Sequence, residues 1–413
     1  MKWICSQIGA REHYAIPRVL HREAKLESFY TDFWTNPIWK SCGNLFGKPE
    51  LSTRFHQDLA DVKVKSFDLT TLVDSVFTDS RKKNSYEWFL YVGSDFGRAV
   101  VESLKRKKGV PWDETIFFGY DTGFLEPATW IKRRGGKTVV CQMDPSRAEV
   151  SMVESERNLW PGWTHRSVNV PESFFRRREQ EWATADIVMV NSEWCKQGLI
   201  EQNVPENKII VVPLAYERDK SVDLNLLAKS TKRHDQGITS KQPVRILFLG
   251  QVILRKGIQY LIEAAKKLKN EPIYFDIVGP VGISDEAVKS APTNMVFHGP
   301  VSRSRASEYF TNSDIFVLPT ISDGFALAQL EALAHGLPVI TTPNCGEVVE
   351  HGVDGMIVPA KDSISLAEAI RILSNDQSLR QQMSHAAYDR VKQFSMSHLA
   401  NNLELISNRL LAS

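Results

Sequence analysis

Short apolar runs recur along the chain, each ending in turn residues, with longer mixed stretches between them. In the first half they lie at 3–8, running into Gly9, and at 116–119, 138–142, 187–190 and 209–212. The stretch 192–202 has helical spacing. Residues 217–242 break the pattern: Lys, Ser, Thr and Asp dominate there and large apolar residues are few. A second series then begins, with strand-like runs at 245–249, 274–278, 295–298, 315–318, 339–341 and 356–358 and an amphipathic helix at 258–268. The stretch 397–411 carries Leu399, Leu403, Ile406 and Leu410 on one helical face. Short buried strands alternating with helices imply parallel sheets covered on both faces. The expected organisation is therefore α/β, with one Rossmann-like domain over 1–216, a linker over 217–242, a second Rossmann-like domain over 243–395 and a terminal helix over 396–413. Ligands of such sheets sit beyond the strand C-termini, here in a cleft where the two domains face each other.

Length agrees, since 413 residues exceed what one core organises. A net charge of +2 argues against nucleic-acid binding driven by bulk charge. The five cysteines, Cys5, Cys42, Cys141, Cys195 and Cys345, are scattered without a C-x-x-C, which fits a reducing cytosol better than a disulfide scaffold or a zinc site. No apolar run reaches the length of a membrane span. The start of the chain reads as a first strand, too short in its apolar part for a signal peptide.

The most informative stretch is 318–336, LPTISDGFALAQLEALAHG. A strand ends near Pro319, a polar turn follows with Gly324, and an Ala/Leu-rich helix stops at Gly336. The free N–H groups and dipole at such a helix start attract phosphate. Asp323 precedes the helix and Glu331 lies about two turns further on, on nearly the same side. An ordinary helix capped by Asp323 is the plainer alternative. A second strand-to-helix loop, GQVILRKG at 250–257, puts Arg255 and Lys256 side by side just before a helix. Fixed cations there would stabilise charge building on a leaving phosphate.

These two stretches resemble motifs of the retaining family-4 glycosyltransferases, a two-Rossmann (GT-B) group within the glycosyl transferases group 1. The first resembles E-G-F-G-x-x-x-x-E-A-x-A-x-G, with Asp323 for the first Glu and Ala326 for the second Gly. The second resembles G-R-x-x-x-x-K-G, with Lys256 matching the Lys and Gln251 replacing the Arg. The resemblance implies that Gly250, Gln251, Arg255, Lys256, Gly324, Phe325, Ala326 and Glu331 bind a nucleotide-diphosphate sugar. Sugar hydroxyls would lie near Asp323 and ribose hydroxyls near Glu331. It implies transfer of a hexosyl unit, with retention, to a glycan or lipid-linked acceptor bound by the first domain, with the leaving phosphate helping to deprotonate the acceptor. Asp323, Lys256 and Asp144 are the expected catalytic groups; Asp144 ends the 138–142 strand, where it would bond a sugar hydroxyl or cap the next turn. Gly9 and His13, after the first strand, are expected on the side of the acceptor or the transferred sugar. No cofactor beyond the sugar nucleotide and no metal is implied.

Other segments stay structural in this reading. Asp186 and Ser192 suit a structural carboxylate and a helix cap, and the Gly-Pro turns at 279–280 and 299–300 are turns first, though relatives border the nucleobase there. The basic clusters 105–108, 132–134 and 176–178 are either solvated faces or a surface for anionic lipid headgroups. A cytoplasmic protein, peripheral at the inner face of the membrane if the second holds, is expected. A non-catalytic sugar-nucleotide-binding scaffold, or another enzyme of the same architecture such as an epimerase, remains the alternative; a pyridoxal-lysine motif, which a phosphorylase would need, is not found.

Overall fold

A computed structural model describes residues 1–35, 54–67, 86–164, 169–217 and 243–412. Cys42 and all but one residue of the expected linker lie outside the described residues.

The apolar runs become strands, with small shifts at their ends. In the first domain these are β1 (Lys2–Gln7), β4 (Thr115–Tyr120), β5 (Lys137–Gln142), β6 (Ile187–Val190) and β7 (Ile209–Val211); β2 (Leu26–Thr31) and β3 (Val64–Ser66), each carrying polar residues, are not among the predicted runs. They form one parallel sheet in the order β3-β2-β1-β4-β5-β6-β7. The second domain contributes β8 (Val244–Leu249), β9 (Ile273–Val278), β10 (Met295–Gly299), β11 (Ile315–Leu318), β12 (Val339–Thr341) and β13 (Gly355–Ile357), parallel in the order β10-β9-β8-β11-β12-β13. In both sheets the chain reverses its direction of growth beside the first strand, between β1 and β4 and again between β8 and β11. Those are the points where loops diverge and a ligand crevice opens.

The helices that position the site are α1 (Ala15–Arg22), α2 (Tyr86–Lys105), α3 (Leu125–Lys132), α4 (Arg147–Leu159), α5 (Glu172–Thr184), α6 (Glu193–Ile200), α7 (Ile258–Lys267), α8 (Asp285–Lys289), α9 (Arg303–Thr311) and α10 (Leu327–Ala334). After them come α11 (Ser363–Asn375), α12 (Gln377–Arg390) and α13 (Met396–Leu411). Ser192 caps α6 by accepting from the Cys195 N–H, and Asp186 accepts from the Thr138 N–H and hydroxyl, the structural roles expected of both.

The terminal helix shows where its apolar face belongs. Leu399, Leu403, Ile406 and Leu410 enter the first domain's core beside Trp3, Ile16 and Leu20. The indole N–H of Trp3 donates to the Ser407 hydroxyl at 3.2 Å. The chain therefore crosses back after the second domain and returns a helix to the first.

Each of the three basic clusters has at least one cation that is buried or paired with a carboxylate. Arg178 is buried between Asp121 and Asp144, and Arg177 makes a forked pair with Glu126. Lys132 pairs with Asp186, and Lys107 reaches Glu27 and Ser28. No helix among the described residues is long and apolar enough to cross a membrane.

Candidate functional site

The loop after β8 and the loop after β11 meet. The Ile321 N–H and the Thr320 hydroxyl both donate to the Arg255 carbonyl, at 2.8 and 3.1 Å, so the two strand ends are sewn together. Gly257 makes this approach possible. Its φ is +74°, and a Cβ there would lie 1.8 Å from the Pro319 carbonyl oxygen. The Lys256 ammonium is mostly buried and held in an ion pair with the Asp323 carboxylate. Arg255 donates to the Ser322 carbonyl at 3.1 Å and pairs with Glu149 of α4 at 3.4 Å. Burial first, and then the Arg255 guanidinium, push the Lys256 ammonium below the usual lysine range, while Glu149 pulls the other way. Burial raises the Glu149 carboxyl and nearby Asp144 adds to it, against Arg255 and the 2.8 Å bond from the Ser322 hydroxyl.

Helix α10 starts without a side-chain cap. Its N-cap residue is Ala326, so Asp323 is not the cap; it turns instead to Lys256, with a long contact from the Phe325 N–H at 3.4 Å. Ala326 stands where the resembling motif has glycine, and it adopts φ +64°. A left-handed alanine costs roughly 1–2 kcal/mol, against about 0.5–1 kcal/mol for the extra freedom that glycine loses on folding. Ala326→Gly should therefore raise stability by about 0.5–1 kcal/mol, read as a higher denaturant midpoint at unchanged slope. A lower midpoint would contradict this account of the departure. The Phe325 side chain is core, edge-on to Phe394, so any donor contact from that residue comes from its backbone.

Gly324 lies against the first domain. A Cβ there would sit 1.7 Å from the Met143 carbonyl oxygen, which also accepts from Asn191 Nδ2 at 3.1 Å. Trp194 donates across the same boundary to the Ser322 hydroxyl at 3.0 Å. Helix α4 runs along it: Glu149 meets Arg255 at one end. Two turns on, fully buried Glu156 accepts from Gln259 and Tyr260 at 3.0 and 2.9 Å and pairs with Lys361 at 2.9 Å. Sequence reasoning missed Glu149 and Glu156. Their spacing of seven, one helical face, was the available signal.

Other expected residues sit in two groups. Gly250 and Gln251 follow β8; the Gly250 N–H donates to Val278 O at 2.9 Å and the Gln251 side chain is exposed. Asp144 is half-buried and already paired. It takes two bonds from Arg178, at 2.8 and 2.9 Å, and one from the Ser146 N–H. Burial works against its charge, yet Arg178 holds its carboxyl below the usual carboxylate range. The Gly9 N–H donates to Asp32 at 2.9 Å. His13 and Glu331 are brought to one interdomain cavity of about 220 Å³, whose lining does not include Gly9. Glu12, His13 and Tyr14 beside it hold φ of 51°, 49° and 62°, three left-handed non-glycine residues in succession, each costing about 1–3 kcal/mol.

Among the described residues no group of three His, Cys, Asp or Glu side chains is placed to hold a metal ion. The four described cysteines are all free and buried.

Residues 229–390 match the family Glycosyl transferases group 1. The chain is 28% identical over 242 residues to the capsular polysaccharide biosynthesis glycosyltransferase CapM of Staphylococcus aureus, covering 56% of this chain and 63% of that one. It is 28% identical over 221 residues to the N,N'-diacetylbacillosaminyl-diphospho-undecaprenol alpha-1,3-N-acetylgalactosaminyltransferase of Campylobacter jejuni, covering 50% of this chain and 56% of that one. The matched stretch thus spans less than two thirds of either relative. Anabaena HepE, solved in complex with UDP, superposes with a TM-score of 0.64 at 14% identity, covering 99% of this chain and all of that one. The likeness to HepE establishes the two-Rossmann fold over the whole length described.

Proposed function

We propose that the chain, whose second half matches the glycosyl transferases group 1, transfers a hexosyl unit from a nucleotide-diphosphate sugar to a glycan or lipid-linked acceptor, with retention. The observation that carries this is the convergence of Lys256 and Arg255 at the ends of β8 and β11, beside the uncapped start of α10, with the carboxylates of Asp323 and Glu149 already on the cations. A site that holds two carboxylates this way is built for anions, and a diphosphate would exchange with them. Charge developing on the departing phosphate would meet Lys256 and Arg255. The glycosidic C–O bond then forms as the C–O bond to phosphate breaks, and the acceptor proton passes to the leaving phosphate. UDP is the first nucleotide to test, because HepE binds it. The polysaccharide and undecaprenol-linked roles in the relatives' names support the acceptor class.

Thermal shifts with UDP, GDP and ADP identify the base, and hydrolysis of the matching sugar nucleotide tests turnover, with and without EDTA. Turnover that survives EDTA is expected. Binding without any turnover would favour the scaffold reading.

Glu331 is half-buried on α10 and faces the interdomain cavity, which suits ribose hydroxyls. Glu331→Gln should weaken binding of the nucleoside diphosphate alone by about 1–3 kcal/mol. Calorimetry reads this directly, and equal affinity would return Glu331 to a structural role.

A further inference from the structure

The left-handed turn after β1 has no part in the donor site described above, yet it stands at the first sheet's own crevice, where β1 and β4 part. We propose that Glu12 is the group that anchors the acceptor hydroxyl, an inference that rests on the transferase reading above. The Tyr120 hydroxyl, at the end of β4, donates to Glu12 Oε1 at 3.0 Å. Arg11 lies over the Tyr120 ring, 5.0 Å from its centroid, and pairs with Asp121. One carboxylate oxygen is thus fixed, and the other has no hydrogen bond among the described residues. Glu12 lines the same cavity as Leu327 and Glu331 of the second domain, so it faces the first turns of the helix where the donor would lie.

The charge of that wall selects the occupant. Arg18 also lines the cavity, but Asp58 and Glu217 already hold its guanidinium. The acids Glu12, Glu217 and Glu331 leave no unshared arginine or lysine for a phosphate there. A carboxylate set against a diphosphate would repel it, whereas a neutral hydroxyl donates to it readily. With the ribose hydroxyls assigned to Glu331 and the transferred sugar's hydroxyls to Asp323, the hydroxyl left for Glu12 is the acceptor's. The cavity holds roughly seven water volumes, enough for a neutral polyhydroxylated ring. Three left-handed residues in a row are retained where a relaxed turn would aim this carboxylate elsewhere. Burial raises the Glu12 carboxyl to about 7, with the Tyr120 bond and Arg11 opposing, which is consistent with a group held out of bulk water.

The test uses the full chain and hydrolysis of whichever of UDP-glucose, GDP-mannose and ADP-glucose turns over, with water in the acceptor's place. Glu12→Gln keeps the size and the Tyr120 bond. It should lower kcat by at least about tenfold, as a misplaced reactant does, while KM for the donor, nucleotide affinity and Tm stay near wild type. Glu12→Asp should restore part of the loss. Unchanged kcat in Glu12→Gln overturns the assignment, as does a loss of nucleotide affinity in proportion to the loss of rate, which would place Glu12 on the donor. No turnover by the wild-type chain with any donor overturns the transferase reading itself, and the inference with it.

Discussion

Lys256→Ala should lower kcat/KM for glycosyl transfer by about 2–4 kcal/mol, roughly 30- to 1,000-fold, the range for losing one fixed electrostatic contact to developing charge. The size of the effect follows from where the lysine lies. It is mostly buried, between the β8 and β11 loops, so its charge is poorly screened by water. Its ammonium titrates below the usual lysine range because burial and Arg255 oppose the charge. An arriving diphosphate favours the charged form and raises that pKa again. Above the depressed pKa of the free protein, binding must therefore take up a proton, and affinity should fall as pH rises through that range. Below it the lysine is charged in both states and the affinity is flat with respect to this group. Calorimetry in buffers of different ionisation enthalpy counts the protons. A folded Lys256→Ala protein with unchanged kcat/KM would remove the lysine from the mechanism.

Arg178→Ala should destabilise the chain by about 3–5 kcal/mol, the usual consequence of leaving buried charge without its partner. Arg178 is buried and bonded to Asp121 at 2.7 Å and to both oxygens of Asp144. Its guanidinium also stacks over the Phe174 ring at 4.4 Å. Truncation leaves Asp121 only the longer pair with Arg11 and leaves Asp144 without its arginine. The loss should be read as a large drop in denaturant midpoint. Replacing the arginine by Met together with Asp121→Asn and Asp144→Asn should recover much of it, since neutral groups carry a far smaller desolvation penalty. A loss under about 1 kcal/mol in Arg178→Ala would show that water reaches these carboxylates.

The fold was legible because most strands are short apolar runs ending in turn residues; β2 (LESFYT) and β3 (VKS) escaped because Glu27, Ser28 and Lys65 interrupt them. The meeting of the two loops was legible because each is one continuous strand-to-helix segment, around Lys256 and around Asp323. What escaped depends on partners far away in the chain. Glu149 and Glu156 lie on a helix too polar to announce a buried face, and only packing against the second domain brings them to Arg255 and Lys361. Arg178 sits in a run of three arginines that reads as a solvated face. Yet it is four residues after Phe174 and four before Trp182, both buried, so the helical period already placed it inward. The pairing of Asp144 with Arg178 escaped for the same reason, while its bond from the Ser146 N–H is the turn-capping contact the sequence offered as one alternative. The terminal helix displayed its apolar face plainly, but nothing in that face says which domain it covers.

The account rests on Lys256 meeting the β-phosphate of the donor nucleotide, and one thermodynamic cycle measures that contact. The nucleoside diphosphate chosen by thermal shift and the matching monophosphate are each titrated into the wild type and into Lys256→Ala. The account predicts that the wild type prefers the diphosphate and that this preference largely disappears in the mutant. An equal preference in both proteins would contradict it.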